Sequence, residues 1–298
     1  MKKVSIGSWA YVFGAFEKNP ILLPQLCDKL SQLGFDGISL GGFAPHANPD
    51  LYDTDAKRAE LKALLKAHNL EIADFACDLW SLDSLKQTEE WIALFEKNAK
   101  FAQQMGFSII RVDSGTPPIL PEGMSYDDVK KAITAIFKRI AKIAQKYNLQ
   151  VVWEFEPGFM INEPKNVVGV AKAVDEPNFH ILFDTCHAHM GAVVGARHIE
   201  KDCKLAGGVE EYAKMCKDMI GIVHVIDSDG TLNVAQTSTH APFGLGVIDF
   251  DSVIPALLND ANYKGDWWAI DLCEWPDAWQ ATADCKAFVD QFNAKYCG

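Results

Sequence analysis

Short apolar runs recur along the chain, each followed by a longer stretch in which apolar positions return every three or four residues. The runs are VSIGSWA (4–10), GISLGG (37–42), EIADFACD (71–78) and SIIRVDSG (108–115), then QVVWEFE (150–156), HILFDTCH (180–187), IGIVHVID (220–227) and WWAIDLC (267–273). Most are nearly continuous in Val, Ile, Leu or Phe, the pattern of parallel strands covered on both faces. Between them, 86–105 repeats Trp91, Leu94, Phe95 and Ala99 at helical spacing, and 126–147 aligns Val129, Ile133, Ile136, Ile140 and Ile143 in one stripe. Helices over about 21–33 and 54–69 end in Leu33-Gly34 and His68-Asn69, both C-cap signatures. Eight strand–helix repeats without a linker or low-complexity segment predict one domain over 1–298, a single (β/α)8 TIM barrel. A doubly wound open sheet would need a Gly-rich phosphate turn after its first strand, and SWAYVFG has none.

A barrel demands that its chemistry sit at the C-terminal ends of the strands. Asp78, Asp113, Glu154 with Glu156, Asp184 with His187, His224 with Asp227, and Asp271 all close their runs. In QVVWEFE, Val152, Glu154 and Glu156 share one face, and bulky Val151, Trp153 and Phe155 share the other. The bulky face belongs against the helices, so Glu154 points into the barrel mouth. His224 and Asp271 each follow four apolar-leaning positions in the same way. Glu154, Asp184, His224 and Asp271 therefore come from four successive strands around one point. Three carboxylates and one imidazole suit a fairly hard divalent ion such as Mn²⁺, Mg²⁺ or Co²⁺, with Zn²⁺ also accommodated. Glu156 is an alternative to Glu154, although Pro157 after it reads as a turn.

Composition narrows the class further. A net charge of −12 opposes nucleic acid and anionic membrane surfaces. Eight cysteines are scattered with no C-x-x-C pair, and MKKVSIGSWA lacks a signal-type apolar stretch, which fits a reducing cytoplasm. No segment approaches the roughly 18 apolar residues of a membrane span.

The order Glu, Asp-x-x-His, His, Glu/Asp on strands five to eight resembles the xylose isomerase-like TIM-barrel superfamily. That group includes sugar isomerases and 3-epimerases, inosose dehydratase, hydroxypyruvate isomerase and endonuclease IV. The resemblance implies one divalent metal held by Glu154, Asp184, His224 and Asp271, with His187 reaching a substrate oxygen. THAPFGLGVIDF resembles the group's H…G-x-G-x-I-D turn and implies that His240 lies over the pocket. Two positions depart from the pattern. The last ligand is Asp271 rather than Glu, with Glu274 as a fallback, and Met160 stands where 3-epimerases carry a second Glu.

The chemistry implied is proton abstraction beside a carbonyl, with Glu154 and Asp271 as proton carriers and His187 on an oxygen. Isomerisation, epimerisation and dehydration of an inosose or 3-keto-sugar all begin there. Aromatic residues crowd the rim, namely Trp9, Tyr11, Phe13, Phe43, Trp80, Phe159, Trp275 and Trp279, and suit the C–H faces of a sugar. Arg111 is the only basic residue near a strand end, so an unphosphorylated sugar or polyol is preferred. Trp9, Trp80, Arg111, Asp113, Glu156, His187 and His240 are the expected substrate contacts. Two rivals are weaker. DTCHA is close to the endonuclease IV motif, but that enzyme's Asp-x-His after strand seven reads Ser238-Thr239-His240 here, and strands three and four end in Asp rather than His. A non-catalytic sugar-binding barrel has no need of all four ligands. A dimer or tetramer is expected by analogy alone.

Overall fold

Eight parallel strands form one sheet in the computed structural model, which describes residues 1–298. They are β1 (Lys3–Ile6), β2 (Gly37–Gly41), β3 (Glu71–Ala76), β4 (Ile109–Val112), β5 (Gln150–Glu154), β6 (Phe179–Asp184), β7 (Ile220–Val225) and, after a two-stranded excursion, β10 (Trp267–Ile270). The excursion is an antiparallel hairpin, β8 (Asp227–Leu232) with β9 (Ser238–Ala241), which the strand–helix repeat does not predict. Around the barrel the order is β1, β10, β7, β6, β5, β4, β3, β2, and a parallel bridge between Gly7 and Ser39 joins the two ends. This is the (β/α)8 barrel that the repeat pattern predicts.

The surrounding helices are α1 (Leu23–Gln32), α2 (Asp55–Ala67), α3 (Thr88–Met105), α4 (Tyr126–Lys146), α5 (Pro164–Val174), α6 (Thr185–His189), α7 (Gly208–Met215), α8 (Phe250–Pro255) and α9 (Ala278–Cys297). Local chemistry sets their ends. Ser125 and Asp128 make a reciprocal capping box at the start of α4, and Gly34 and Asn69, just past α1 and α2, take left-handed backbone. The stripe of α4 is buried at Val129, Ile133, Ile136 and Ile140, and Phe137 meets Trp153 of β5 at 5.0 Å between ring centroids.

Strand alternation splits the core in two. Val151, Trp153, Ile181, Phe183, Val223 and Val225 face outward into the main core beneath the helices. A small inner cluster of Ala73, Val152, Leu182, Ile222, Trp267 and Ala269 plugs the barrel. The site above therefore stands on a packed floor rather than an open channel. All eight cysteines are free, and no helix is long and apolar enough to cross a membrane.

Candidate metal centre

In four strands an inner floor residue is followed two positions later by an ionisable one: Val152 by Glu154, Leu182 by Asp184, Ile222 by His224 and Ala269 by Asp271. The period of two keeps each pair on one face, so the floor and the site share one geometric origin. Register puts Asp184 opposite His224, while Glu154 pairs with Leu182 and His224 with Ala269, so the four side chains follow the stagger of the barrel as they converge. One ligand atom from each of the four lies within 4.8 Å of every other, and all four residues are buried.

The four are gathered without being bonded to one another. His224 Nδ1 lies 3.1 Å from Glu154 Oε1 and 3.5 Å from Asp271 Oδ2. Yet Glu154 Oε1, Asp184 Oδ2 and both His224 ring nitrogens lack a partner with hydrogen-bond geometry, and Glu154 Oε2 meets only the Arg111 guanidinium. Buried polar groups are rarely left so, and here the unpartnered atoms are the ones that converge. Their donor set of three carboxylates and an imidazole fits a divalent cation. The electrostatics agree. Burial alone would drive His224 neutral, but Asp271 and Glu154 outweigh it and lift its pKa to about 10. Asp271, also buried, is nevertheless held below the usual carboxylate range by His240 and His224.

Each ligand is braced from outside. Asp184 Oδ1 accepts the backbone N–H of His187 at 2.8 Å, capping α6, which leaves Oδ2 for the centre. The Trp9 indole N–H donates to both oxygens of Asp271, at 3.0 and 3.1 Å, and its ring stacks on His224 at 5.5 Å. Trp9 is 2% exposed, so the residue expected to touch substrate also positions two ligands. Arg111 pairs with Glu154 and lies 4.8 Å over the Trp9 ring; burial opposes its charge, but Glu154, Asp271 and Asp113 keep it protonated.

The hairpin carries a second polar wall. Ser238 Oγ meets His187 Nδ1 at 2.8 Å, and Thr237 Oγ1 donates to Glu156 Oε2. Glu156 Oε2 stands 3.5 Å from His187 Nε2, so Glu156 is a buried wall residue and not merely a turn residue. Burial, then Glu154, pushes the Glu156 carboxyl up to about 8, while burial, then His240, pulls His187 down to about 3. His240 crosses His187 edge-on at 4.8 Å and lies 3.7 Å from Asp184 Oδ2. Above these groups opens a cavity of about 250 Å³, with Phe13, Phe43, Trp80 and Phe159 on its apolar sides. A wider depression of about 540 Å³ around Lys2, Tyr263 and Cys297, at the opposite end of the barrel, contains none of this chemistry.

Several rim residues are placed elsewhere. Asp227 does not face the centre: it accepts the backbone N–H groups of Ser228, Gly244, Gly246 and Ile248 and pins the loop after β9. Asp78 is exposed. Asp113 stands behind the cavity wall, holding the Trp80 indole N–H at 2.6 Å, and burial raises its carboxyl to about 6. Glu274 lies on the cavity but outside the four-ligand cluster, and accepts from Asn233 at 2.7 Å. Of the eight rim aromatics, Tyr11 and Trp279 pack on each other at 5.7 Å, and Trp275 packs against the main core. Sequence reasoning missed Thr237, whose contact depends on the hairpin, and Asp74, a buried residue inside β3.

A family model described as xylose isomerase-like TIM barrel matches residues 27–287. The chain belongs to that family. No curated protein sequence matches it. Solved structures in the xylose isomerase-like barrel fold superpose along its whole length. A D-tagatose 3-epimerase-like protein has 19% identity and a TM-score of 0.72, covering 99% of both chains. The IolI protein with a bound zinc atom has 17% identity and a TM-score of 0.74, covering 97% of this chain and 98% of its own. The 3-keto-D-glucoside 4-epimerase YcjR from E. coli has 17% identity and a TM-score of 0.69, covering 98% and 100%. At such identities the likeness is one of fold.

Proposed function

We propose that the protein is a divalent-metal-dependent isomerase or epimerase of an unphosphorylated keto-sugar or inositol-type substrate, acting by proton abstraction next to a carbonyl. The observation that carries this reading is the convergence of Glu154, Asp184, His224 and Asp271 within 4.8 Å beneath a partly aromatic cavity. These four would hold one ion, with Mn²⁺, Mg²⁺ or Co²⁺ favoured by the carboxylates and Zn²⁺ also compatible. A bound ion would polarise a substrate carbonyl and favour negative charge on its oxygen. Glu154 and Asp271, from β5 and β10, flank the centre and move the proton. His187, its Nδ1 engaged by Ser238, presents Nε2 to a substrate oxygen beside Glu156. His240 and Arg111 supply further polar contacts, Trp9 lines the cavity from beneath, and the more exposed Trp80 offers a ring to C–H groups. Asp113 acts through Trp80.

The reading accords with two relatives in fold that carry epimerase names, and with the zinc bound by the IolI protein. The test is elemental analysis of the purified protein, followed by a screen of ketoses and inososes for deuterium incorporation from solvent. About one ion per chain and exchange at a carbon beside the carbonyl are expected. Exchange accompanied by loss of water would make the protein a dehydratase. Absence of metal, or metal without exchange on any keto-sugar or inosose, would overturn the reading, and cleavage of abasic DNA would replace it with a nuclease.

A further inference from the structure

Of the run DTCH (184–187), Thr185 ties α6 to the backbone of Ile226, and Cys186 has no part in the site described above. Cys186 is fully buried, and its thiol donates to the Thr239 carbonyl of β9 at 3.2 Å. Along β9 the period of two turns Ser238 and His240 inward and leaves Thr239 on the outer side. The hairpin therefore carries His240 to the first turn of α6. Asp184, Cys186 and His240 each bring a ligand atom within 4.8 Å of the other two, and all three are buried.

A buried thiol alone behaves as a small hydrophobe. The imidazole beside this one sets it apart. His240 is 2% exposed, and neither of its ring nitrogens has a hydrogen-bond partner. Asp184 Oδ2, also unpartnered, stands 3.7 Å from His240 Nε2. That separation is too long for a hydrogen bond, and it suits two donors that share an ion through bonds of about 2.0–2.3 Å. His187 does not satisfy His240, because its ring crosses edge-on with Nδ1 on Ser238 and Nε2 toward Glu156. The trio shares only Asp184 with the four-ligand group, and it alone contains sulfur.

We propose that Asp184, Cys186 and His240 form a second metal site, selective for thiophilic ions and bridged to the four-ligand centre by Asp184. A thiolate and an imidazole favour Zn²⁺ or Co²⁺ over Mn²⁺ or Mg²⁺. On binding, the Cys186 S–H bond gives way to a sulfur–metal bond and the proton passes to solvent. The site lies at the cavity wall, since His240 also lines the cavity. The functional reading above needs one ion and does not require this second one.

The test loads metal-stripped protein with excess Mn²⁺ or Zn²⁺, removes free ion by gel filtration and counts bound metal by elemental analysis. Wild type should hold about one Mn²⁺ but about two Zn²⁺ per chain, and Cys186→Ala about one of either. His240→Asn should lose the same zinc, and it carries the test if Cys186→Ala does not fold. Co²⁺ adds a spectroscopic readout: its second equivalent should bring a thiolate-to-cobalt charge-transfer band that Cys186→Ala lacks. Two Zn²⁺ retained in Cys186→Ala would overturn the proposal. One Mn²⁺ and only one Zn²⁺ in wild type would overturn it while leaving the functional reading intact. A wild type that takes no Mn²⁺, yet binds a zinc that Cys186→Ala loses, would instead overturn the functional reading and uphold the second site.

Discussion

Replacing Asp184 by Asn isolates the metal-binding role of one atom. Asp184 uses Oδ1 to cap α6 and leaves Oδ2 unpartnered at the centre. Asn caps a helix about as well as Asp, so this substitution spares the cap and removes a ligand charge. For 298 residues, an unfolding entropy of about 2.1 cal/mol/K per residue gives about 0.6 kcal/mol/K. Metal at a hundred times its Kd stabilises by about 2.7 kcal/mol, and at a thousand times by about 4.1 kcal/mol, which raises Tm by about 4 and about 7 °C. Loss of a direct ligand should weaken binding by at least the roughly hundredfold that an outer partner can cost. At the lower metal concentration the variant would then retain only about 0.4 kcal/mol, a shift under about 1 °C. Without metal, the variant should melt at or above wild type, since it buries one carboxylate fewer beside Glu154 and Asp271. Differential scanning fluorimetry with Mn²⁺ or Zn²⁺ against EDTA measures both quantities. A metal-induced shift in Asp184→Asn equal to that of wild type would refute the assignment, as would a metal-free variant markedly less stable than wild type.

Gly246→Ala should destabilise the protein by more than about 1 kcal/mol, because an added Cβ would lie 2.3 Å from Asp227 Oδ1 and 2.4 Å from Ser228 O. Urea denaturation checks this, and an unchanged midpoint would show that the loop pinned by Asp227 yields freely. Trp80→Phe keeps a ring at the cavity mouth but removes the donor to Asp113. It should weaken substrate binding severalfold while leaving metal content unchanged, as ligand titration with parallel elemental analysis would show.

Strand ends were the legible part of this molecule. A carboxylate or imidazole two positions after an inward-facing residue keeps that residue's face, and four strands repeat the arrangement at Glu154, Asp184, His224 and Asp271. Local alternation was enough to find them. It was not enough for Asp227, which ends an equally apolar run yet turns to the backbone amide of its neighbour Ser228 and to three amides of a loop that arrives later in the chain. Nor could it sort the rim aromatics. Tyr11 is anchored by Thr282 of α9 at 2.7 Å, a contact across almost the whole chain.

By itself the sequence determined the barrel, the faces of its strands and the identity of four converging ligand candidates, because these follow from a period of two and a repeat of strand and helix. Tertiary structure alone decided what surrounds them. The hairpin set Ser238 and Thr237 against His187 and Glu156, Trp9 was drawn under Asp271, and a bulge in β3 turned Asp74 inward. Those arrangements depend on pairings between distant segments, whose register and bulges arise only when the barrel closes.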